Sequence, residues 1–249
     1  MTEQALFDLP PAGDSWHHRR HVGFDVETTS RDPRTARIVS AALVEFDGAG
    51  LDGGRRVRTR EWLVNPGVEI PAETTAIHGI STERAIAEGQ PAAEAIAQLT
   101  GALTAEFEAG TPVVVMNAPY DLTVLREEAL RHGVGFPEPR PVIDPLVIDK
   151  QVDKYRRGKR RLGDLCDVYK VLLDDAHSAA PDAKAAAEVA CCLAEKYPQL
   201  QIPAEELHDL QVAWKADQAA DFQAFLRRTK PEAVTSPAWP FETGQPTSP

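Results

Sequence analysis

His21-Val22-Gly23-Phe24-Asp25-Val26-Glu27-Thr28-Thr29 is the stretch on which the fold turns. From His21 to Val26 apolar residues alternate with others, the period of a β-strand. Asp25 and Glu27 are two apart and share one face, while Val22, Phe24 and Val26 point to the other. Two carboxylates at the end of an apolar strand are costly to desolvate unless something pairs with them. The nearest basic residues, Arg20 and Arg31, are not adjacent. A divalent cation with oxygen ligands compensates better. Taken alone, the pair reads equally well as a solvated strand end.

Outward from this strand, Ile38 to Phe46 is an apolar run with β-branched members, and Val57 to Val64 alternates, with Trp62 and Val64 on one face. Gly48, Gly50, Gly53 and Gly54 mark the turn between them. Helical stretches open at Ser81 and at Pro91, the second running to about Ala109 with Ile96, Leu99 and Leu103 at helical spacing. Val113 to Met116 predicts a buried central strand, followed by a helix that starts at Pro119 and stops at Gly133. Val142-Ile143 predicts a fifth strand. Further helices are predicted over 145–152, 162–172, 178–197 and 204–228. This is an α/β layout, a mixed five-stranded sheet flanked by helices. The expected organisation is a flexible tail over 1–20, one domain over 21–200, a C-terminal helical extension over 201–235 and a second flexible tail over 236–249.

The 249 residues suffice for one sizeable core. No stretch approaches the roughly 20 continuous apolar residues of a membrane span, and the N-terminus lacks a signal-like apolar core. The expected location is therefore cytoplasmic, with no membrane partner. The three cysteines, Cys166, Cys191 and Cys192, form no zinc-type pairs and read as reduced thiols. A net charge of −11 counts against wrapping duplex DNA by bulk electrostatics. An acidic cluster nevertheless attracts phosphate once it holds a metal.

Asp121 and Asp182 each fall in the first turns of a predicted helix, where an acid also complements the helix dipole. His177 stands five residues before Asp182. The set says more than its members: a strand-borne Asp-x-Glu, a strand-to-helix Asp and a late His-x4-Asp, in that order.

With these residues in place the sequence resembles the DEDDh 3′→5′ exonucleases, among them the proofreading subunit of bacterial replicative polymerases, ribonuclease T and oligoribonuclease. Asp25-Val26-Glu27-Thr28-Thr29-Ser30 matches their first motif, with Ser30 in place of glycine. Asn117-Ala118-Pro119-Tyr120-Asp121 matches the second and His177-Ser178-Ala179-Ala180-Pro181-Asp182-Ala183 the third. Ile77-His78-Gly79-Ile80, Asp144-Pro145-Leu146 and Leu162-Gly163-Asp164-Leu165-Cys166 are also family-like. The resemblance covers roughly residues 20–198.

It implies a ribonuclease-H-like fold and hydrolysis of phosphodiester bonds at nucleic-acid 3′ ends, releasing nucleoside 5′-monophosphates. Single-stranded DNA is the favoured substrate, in replication or repair. Asp25, Glu27, Asp121 and Asp182 would hold two divalent metal ions that clamp the attacking and leaving oxygens. Mg²⁺ or Mn²⁺ is expected because the ligands are hard oxygens. His177 would be the general base, a role that suits an imidazole whose ordinary pKa is near neutral. Thr28, His78, Asn117 and Tyr120 would meet the terminal nucleotide. Tyr120 reads equally as a half-buried ring covering its helix.

Several features lie outside these motifs. Lys154-Tyr155-Arg156-Arg157-Gly158-Lys159-Arg160-Arg161 holds six cations in eight residues and predicts a phosphate guide. His17, His18 and His21 read as exposed or packing residues, and Glu45, Asp47, Asp174 and Asp175 as ordinary surface acids. Leu207, Leu210, Val212, Trp214, Phe222, Phe225 and Leu226 predict an amphipathic helix that packs on the domain, with binding of a partner as the alternative. Gln4-Ala5-Leu6-Phe7-Asp8-Leu9 resembles short peptides that dock on the bacterial sliding clamp, which adds a clamp or DNA polymerase to the candidate partners. Two alternatives stay open: a 3′→5′ exonuclease acting on RNA or oligoribonucleotides, and a noncatalytic nucleic-acid or polymerase-binding module of the same fold.

Overall fold

The computed structural model describes residues 15–48, 56–174 and 176–242. Strands β1 (His21–Thr28), β2 (Ile38–Phe46) and β3 (Val57–Asn65) form an antiparallel meander. β5 (Val113–Val114) and β6 (Val142–Ile143) extend it in parallel beyond β1. The five expected strands are joined by a sixth, β4 (Gln90–Pro91), which pairs with the end of β3 and makes the order β4-β3-β2-β1-β5-β6. At two residues, β4 carries no period that a sequence pattern could reveal.

The alternation in β1 sorts its side chains as expected. Val22, Phe24 and Val26 join a core with Ile96, Leu99, Leu103, Leu122 and Leu125. Those partners lie on α3 (Ala92–Glu108) and α4 (Ala118–His132). On the opposite face, Val44, Val114 and Ile143 pack with α5 (Pro145–Val152), α6 (Leu162–Tyr169) and the alanine-rich α7 (Ala179–Lys196). Two short helices, α1 (Ala72–His78) and α2 (Thr82–Glu88), follow β3. The sequence reading had no α1; Pro71 opens it and Gly79, at φ 73°, ends it. No helix among the described residues is long and apolar enough to cross a membrane.

The C-terminal extension is one helix, α8 (Ala204–Leu226), and its first half completes the sheet. β6 would otherwise leave an open edge. His208 Nδ1 accepts from Val142 N at 3.0 Å, Gln211 Nε2 donates to Val142 O at 3.0 Å, and Gln211 Oε1 accepts from Asp144 N at 2.6 Å. Burial pushes the pKa of His208 down to about 4, which keeps its ring neutral and able to accept.

Both expected tails are corrected in part. Trp16 and His17 are buried, Trp16 N donates to Ile202 O at 3.2 Å, and Arg20 pairs with Glu106 and Glu45. Residues 15–20 thus pack on the domain, because an indole is too large an apolar surface to leave in water. Residues 236–242 have no helix or strand, as expected, yet they are fastened. Trp239 is buried against His208, and Glu242 N donates to Thr123 Oγ1 at 2.8 Å. Gln4 to Leu9 lie outside the described residues.

Gly23 sets the spacing of the sheet against α7. A Cβ built there would stand 2.2 Å from the backbone oxygen of Ala183. Gly23→Ala should therefore destabilise the protein by about 3 kcal/mol or more, the upper range for overpacking. Urea unfolding followed by circular dichroism measures this, and a midpoint equal to wild type would show that the contact is slack.

Candidate active site

The C-terminal end of β1 carries the first two carboxylates on the α7 face. The pairing with β2 slips there, Glu27 facing Ser40 and Thr28 facing Ile38, a bulge at the strand's last residues. Such irregularities re-aim side chains at the end of a ladder. Because Gly23 lets α7 approach, Asp182 in the first turn of that helix reaches the same place. Asp25, Glu27 and Asp182 each offer an oxygen within 4.8 Å of the other two.

Asp121 arrives from the other side of the strand. It is buried in the first turn of α4, and its Oδ1 accepts from Val26 N at 3.1 Å. The head of α4 is held by Asp144, whose buried carboxylate accepts from Asn117 N at 3.0 Å, Ala118 N at 3.0 Å, Leu146 N at 2.9 Å and Trp239 Nε1 at 3.3 Å. Asn117 adopts the left-handed conformation at φ 62°, which asparagine tolerates better than most residues.

Burial, then the charges of Asp121, Glu27 and Asp182, hold the Asp25 carboxyl well above its usual range. Burial and the Asp182 charge push Glu27 up to about 7. Asp121 is also raised, chiefly by burial, against the lowering effect of the Val26 amide. The charged groups acting most on these acids are other acids.

His177 is exposed and left-handed at φ 70°, and its backbone N–H donates to Asp182 Oδ2 at 3.4 Å. Its side chain lines a cavity of about 170 Å³ together with Glu27, His78, Glu61 and Arg84. His78 closes that cavity from the end of α1. Its Nδ1 accepts from Ile80 N at 3.2 Å, and its buried Nε2 has no hydrogen-bond partner among the described residues. Burial lowers its pKa, so the neutral ring carries its proton on Nε2.

Two expected contact residues are engaged elsewhere. The hydroxyl of Tyr120 sits 2.5 Å from Thr28 Oγ1 and donates to Ser30 O at 2.5 Å. The half-buried ring therefore braces the loop after β1. The Thr28 hydroxyl is likewise committed within the protein, donating to Ser30 O at 2.9 Å.

The basic run divides. Arg156 and Arg160 turn inward onto the buried Asp149, Arg156 Nη2 at 2.8 Å from its Oδ2, and Tyr169 donates to the same carboxylate at 2.7 Å. Arg157 and Lys159 stay exposed. Glu61 and Arg84 were given no site role from the sequence, and Asp144 stood out only within the family-like Asp144-Pro145-Leu146.

Residues 22–190 match the exonuclease family of the RNase T type. A DNA polymerase III subunit epsilon-like protein from Rhodobacter capsulatus is 40% identical over 134 residues, 53% of this chain but only 17% of that protein. The DNA polymerase III subunit epsilon of Rickettsia conorii is 32% identical over 178 residues, 68% of this chain and 71% of that protein. Among solved structures, E. coli exonuclease I in complex with a dT13 oligonucleotide aligns with a TM-score of 0.60 at 18% identity, over 73% of this chain and 42% of that chain. Exonuclease I from Methylocaldum szegediense aligns with a TM-score of 0.60 at 21% identity, over 83% of this chain and 46% of that one. These neighbours share the ribonuclease-H-like fold. By its sequence match and its fold, the chain belongs to the RNase T exonuclease family.

Proposed function

We propose that the protein is a metal-dependent 3′→5′ exonuclease that removes nucleoside 5′-monophosphates from single-stranded DNA ends, in replication or repair. The observation that carries this reading is the convergence of Asp25, Glu27 and Asp182 within 4.8 Å, at the rim of a cavity shared by Glu27, His177 and His78. Family membership supplies the reaction class. A DNA polymerase is a candidate partner because the Rickettsia relative is a polymerase subunit by name.

The donor set fits hard divalent cations. It offers carboxylate oxygens only, and those of Asp25 and Glu27 are raised in pKa by burial and by neighbouring acids, which is the signature of missing positive charge. Asp25, Glu27 and Asp182 would hold one ion, and Asp25 with Asp121 would support a second, Mg²⁺ or Mn²⁺. When bound, the ions supply Lewis-acid chemistry that eases ionisation of a water and stabilises charge on the leaving 3′ oxygen. The protein's own groups do the rest. His177, exposed beside Asp182, takes the proton of the attacking water. His78 donates its Nε2–H to the terminal nucleotide, and the backbone at Thr28 lines its other side. Asp144 orients α4 and so holds Asp121 in line.

Release of 5′-mononucleotides from 3′ ends of single-stranded DNA and RNA, in Mg²⁺, Mn²⁺ or EDTA, tests the reading. Asp25→Ala should lose at least about a hundredfold in kcat, since even outer partners of a metal cost up to that much. His177→Ala should lose about a hundred- to ten-thousandfold. A folded wild-type protein that shortens neither polymer in any metal is a binding module instead, and a faster rate on RNA would move the substrate to that polymer.

The raised acids make a second prediction. The folded protein holds the proton of Glu27 more tightly than the unfolded chain, with a pKa of about 7 against the ordinary 4.5. Stability in EDTA should therefore fall as pH rises through that window, by on the order of 3 kcal/mol at most from this residue. Mn²⁺ favours the ionised carboxylates, so its thermal upshift should be larger at pH 8 than at pH 5.5, and the EDTA slope should shrink in Glu27→Gln. Equal Mn²⁺ upshifts at both pH values would count against a carboxylate site.

A further inference from the structure

The second half of α8 does not behave as its first half does. Leu207 and Gln211 are buried, but Phe222 and Phe225 are 54% and 59% exposed. The amphipathic helix expected to pack in cis does so through its second half as well, where Ala219 is buried and Gln218 Nε2 donates to Val147 O at 3.0 Å, but it leaves these two rings in solvent. Three apart on one helix, the two rings are neighbours on its surface.

Both rings line a groove of about 710 Å³ between α8 and α5, and the same groove is lined by Lys150, Lys154, Arg160 and Lys215. Lys154 pairs with Asp221 at 3.0 Å, and Arg160 is engaged by Asp149. Lys150 and Lys215 form no salt bridge among the described residues, and each is a charged neighbour of the other. Burial first, and the Lys215 charge next, hold the Lys150 ammonium below its usual range. The loop that brings Lys154 and Arg160 to the groove also carries the exposed Arg157 and Lys159. Asp217 lines the same groove and Arg228 lies over the Phe225 ring at 5.7 Å, so in a chain of net charge −11 the groove keeps a small cation excess, Lys150 and Lys215 against Asp217, beside two solvent-exposed rings.

We propose that this groove is a second binding site for single-stranded nucleic acid, with phosphates on Lys150 and Lys215 and bases stacked on Phe222 and Phe225. The choice of ligand rests on the exonuclease reading above. Cations beside exposed rings suit a single strand, whose repeating anions and π-faces are bound without sequence preference. An acidic peptide would satisfy the lysines but supplies no regular series of planar faces for the two rings. The groove is also close to the head of α4. Lys150 stands six residues along α5 from Asp144, about 9 Å of helix rise. Asp144 in turn holds Asn117 and Ala118 at the start of the helix that carries Asp121. In this proposal a strand with its 3′ end at the carboxylates continues to the groove.

Fluorescence anisotropy of 5′-labelled dT20 and dT4 on the full chain in EDTA tests the groove without requiring catalysis. Lys150→Glu/Lys215→Glu should weaken dT20 about tenfold or more. It should also flatten the slope of log K against log salt by about 1.4, the change for two phosphate contacts on a single strand. Phe222→Ala/Phe225→Ala should weaken dT20 about tenfold with the salt slope unchanged. Binding of dT4, long enough for two lysines and two rings, should weaken in the same variants, and matched thermal unfolding would show that both remain folded. Wild-type affinity and slope in both variants would overturn the proposal, as would loss of poly-L-glutamate binding with dT20 binding intact. Hydrolysis assayed on the same samples in Mn²⁺ separates the two readings. Groove-dependent binding without shortening of any strand would leave the groove standing and remove the exonuclease. Shortening with groove-independent dT20 binding would do the reverse.

Discussion

Between β1 and α7 there is no room for a side chain at Gly23. The backbone oxygen of Ala183 occupies the place that a Cβ would take. The neighbouring residue on that helix is Asp182, and two residues along that strand is Asp25. Close backbone packing, made possible by one glycine and a run of alanines, thus sets the separation of carboxylates from elements more than 150 residues apart in sequence. The bulge after Glu27 and the amide of Val26, which binds Asp121, fix the remaining members around the same strand end.

That convergence works against the stability of the cation-free protein. Buried like charges favour protonation over ionisation, and the raised pKa values of Asp25, Glu27 and Asp121 express it. The fold tolerates the cluster because each acid is anchored by structure that does not depend on its charge. β1 is paired on both sides, α7 is locked by small residues, and α4 is gripped by Asp144. Asp144 shows the contrasting case. It too is buried and raised, but four N–H donors surround its carboxylate, so it acts as a brace. Two acids of similar burial differ in role because one is surrounded by donors and the other by acids.

Local signals were legible in the sequence and long-range ones were not. The alternation of Val22, Phe24 and Val26, the Ser81 cap and the Gly133 stop report short-range physics, and their elements appear where that physics puts them. The acidic set was legible because its order along the chain is unusual. β4 and α1 were missed because Gln90–Pro91 lacks the apolar character that marks β6 and α1 lacks the capping side chain that marks α2. The burial of Trp16 and Trp239 depends on partners far along the chain, Ile202 and Asp144, so residues near them read as loose ends. Arg156 and Arg160 looked like free cations because nothing local marks Asp149 as a buried carboxylate that requires them.

α8 links the geometry of the sheet to the chemistry of the surface. Its first turns are fixed by a geometric need, since the edge of β6 presents backbone groups that His208 and Gln211 satisfy. Once those bonds direct the helix along the domain, its later turns must run past α5 and the basic loop whatever they carry. That stretch carries two phenyl rings and Lys215 where a merely structural continuation would place small or polar groups. Exposed rings of this size cost solubility without adding to the core. Their presence beside Lys150 and Lys215 is explained if the surface meets a ligand with planar faces and negative charge, which is the chemistry of the strand whose end the carboxylates would receive.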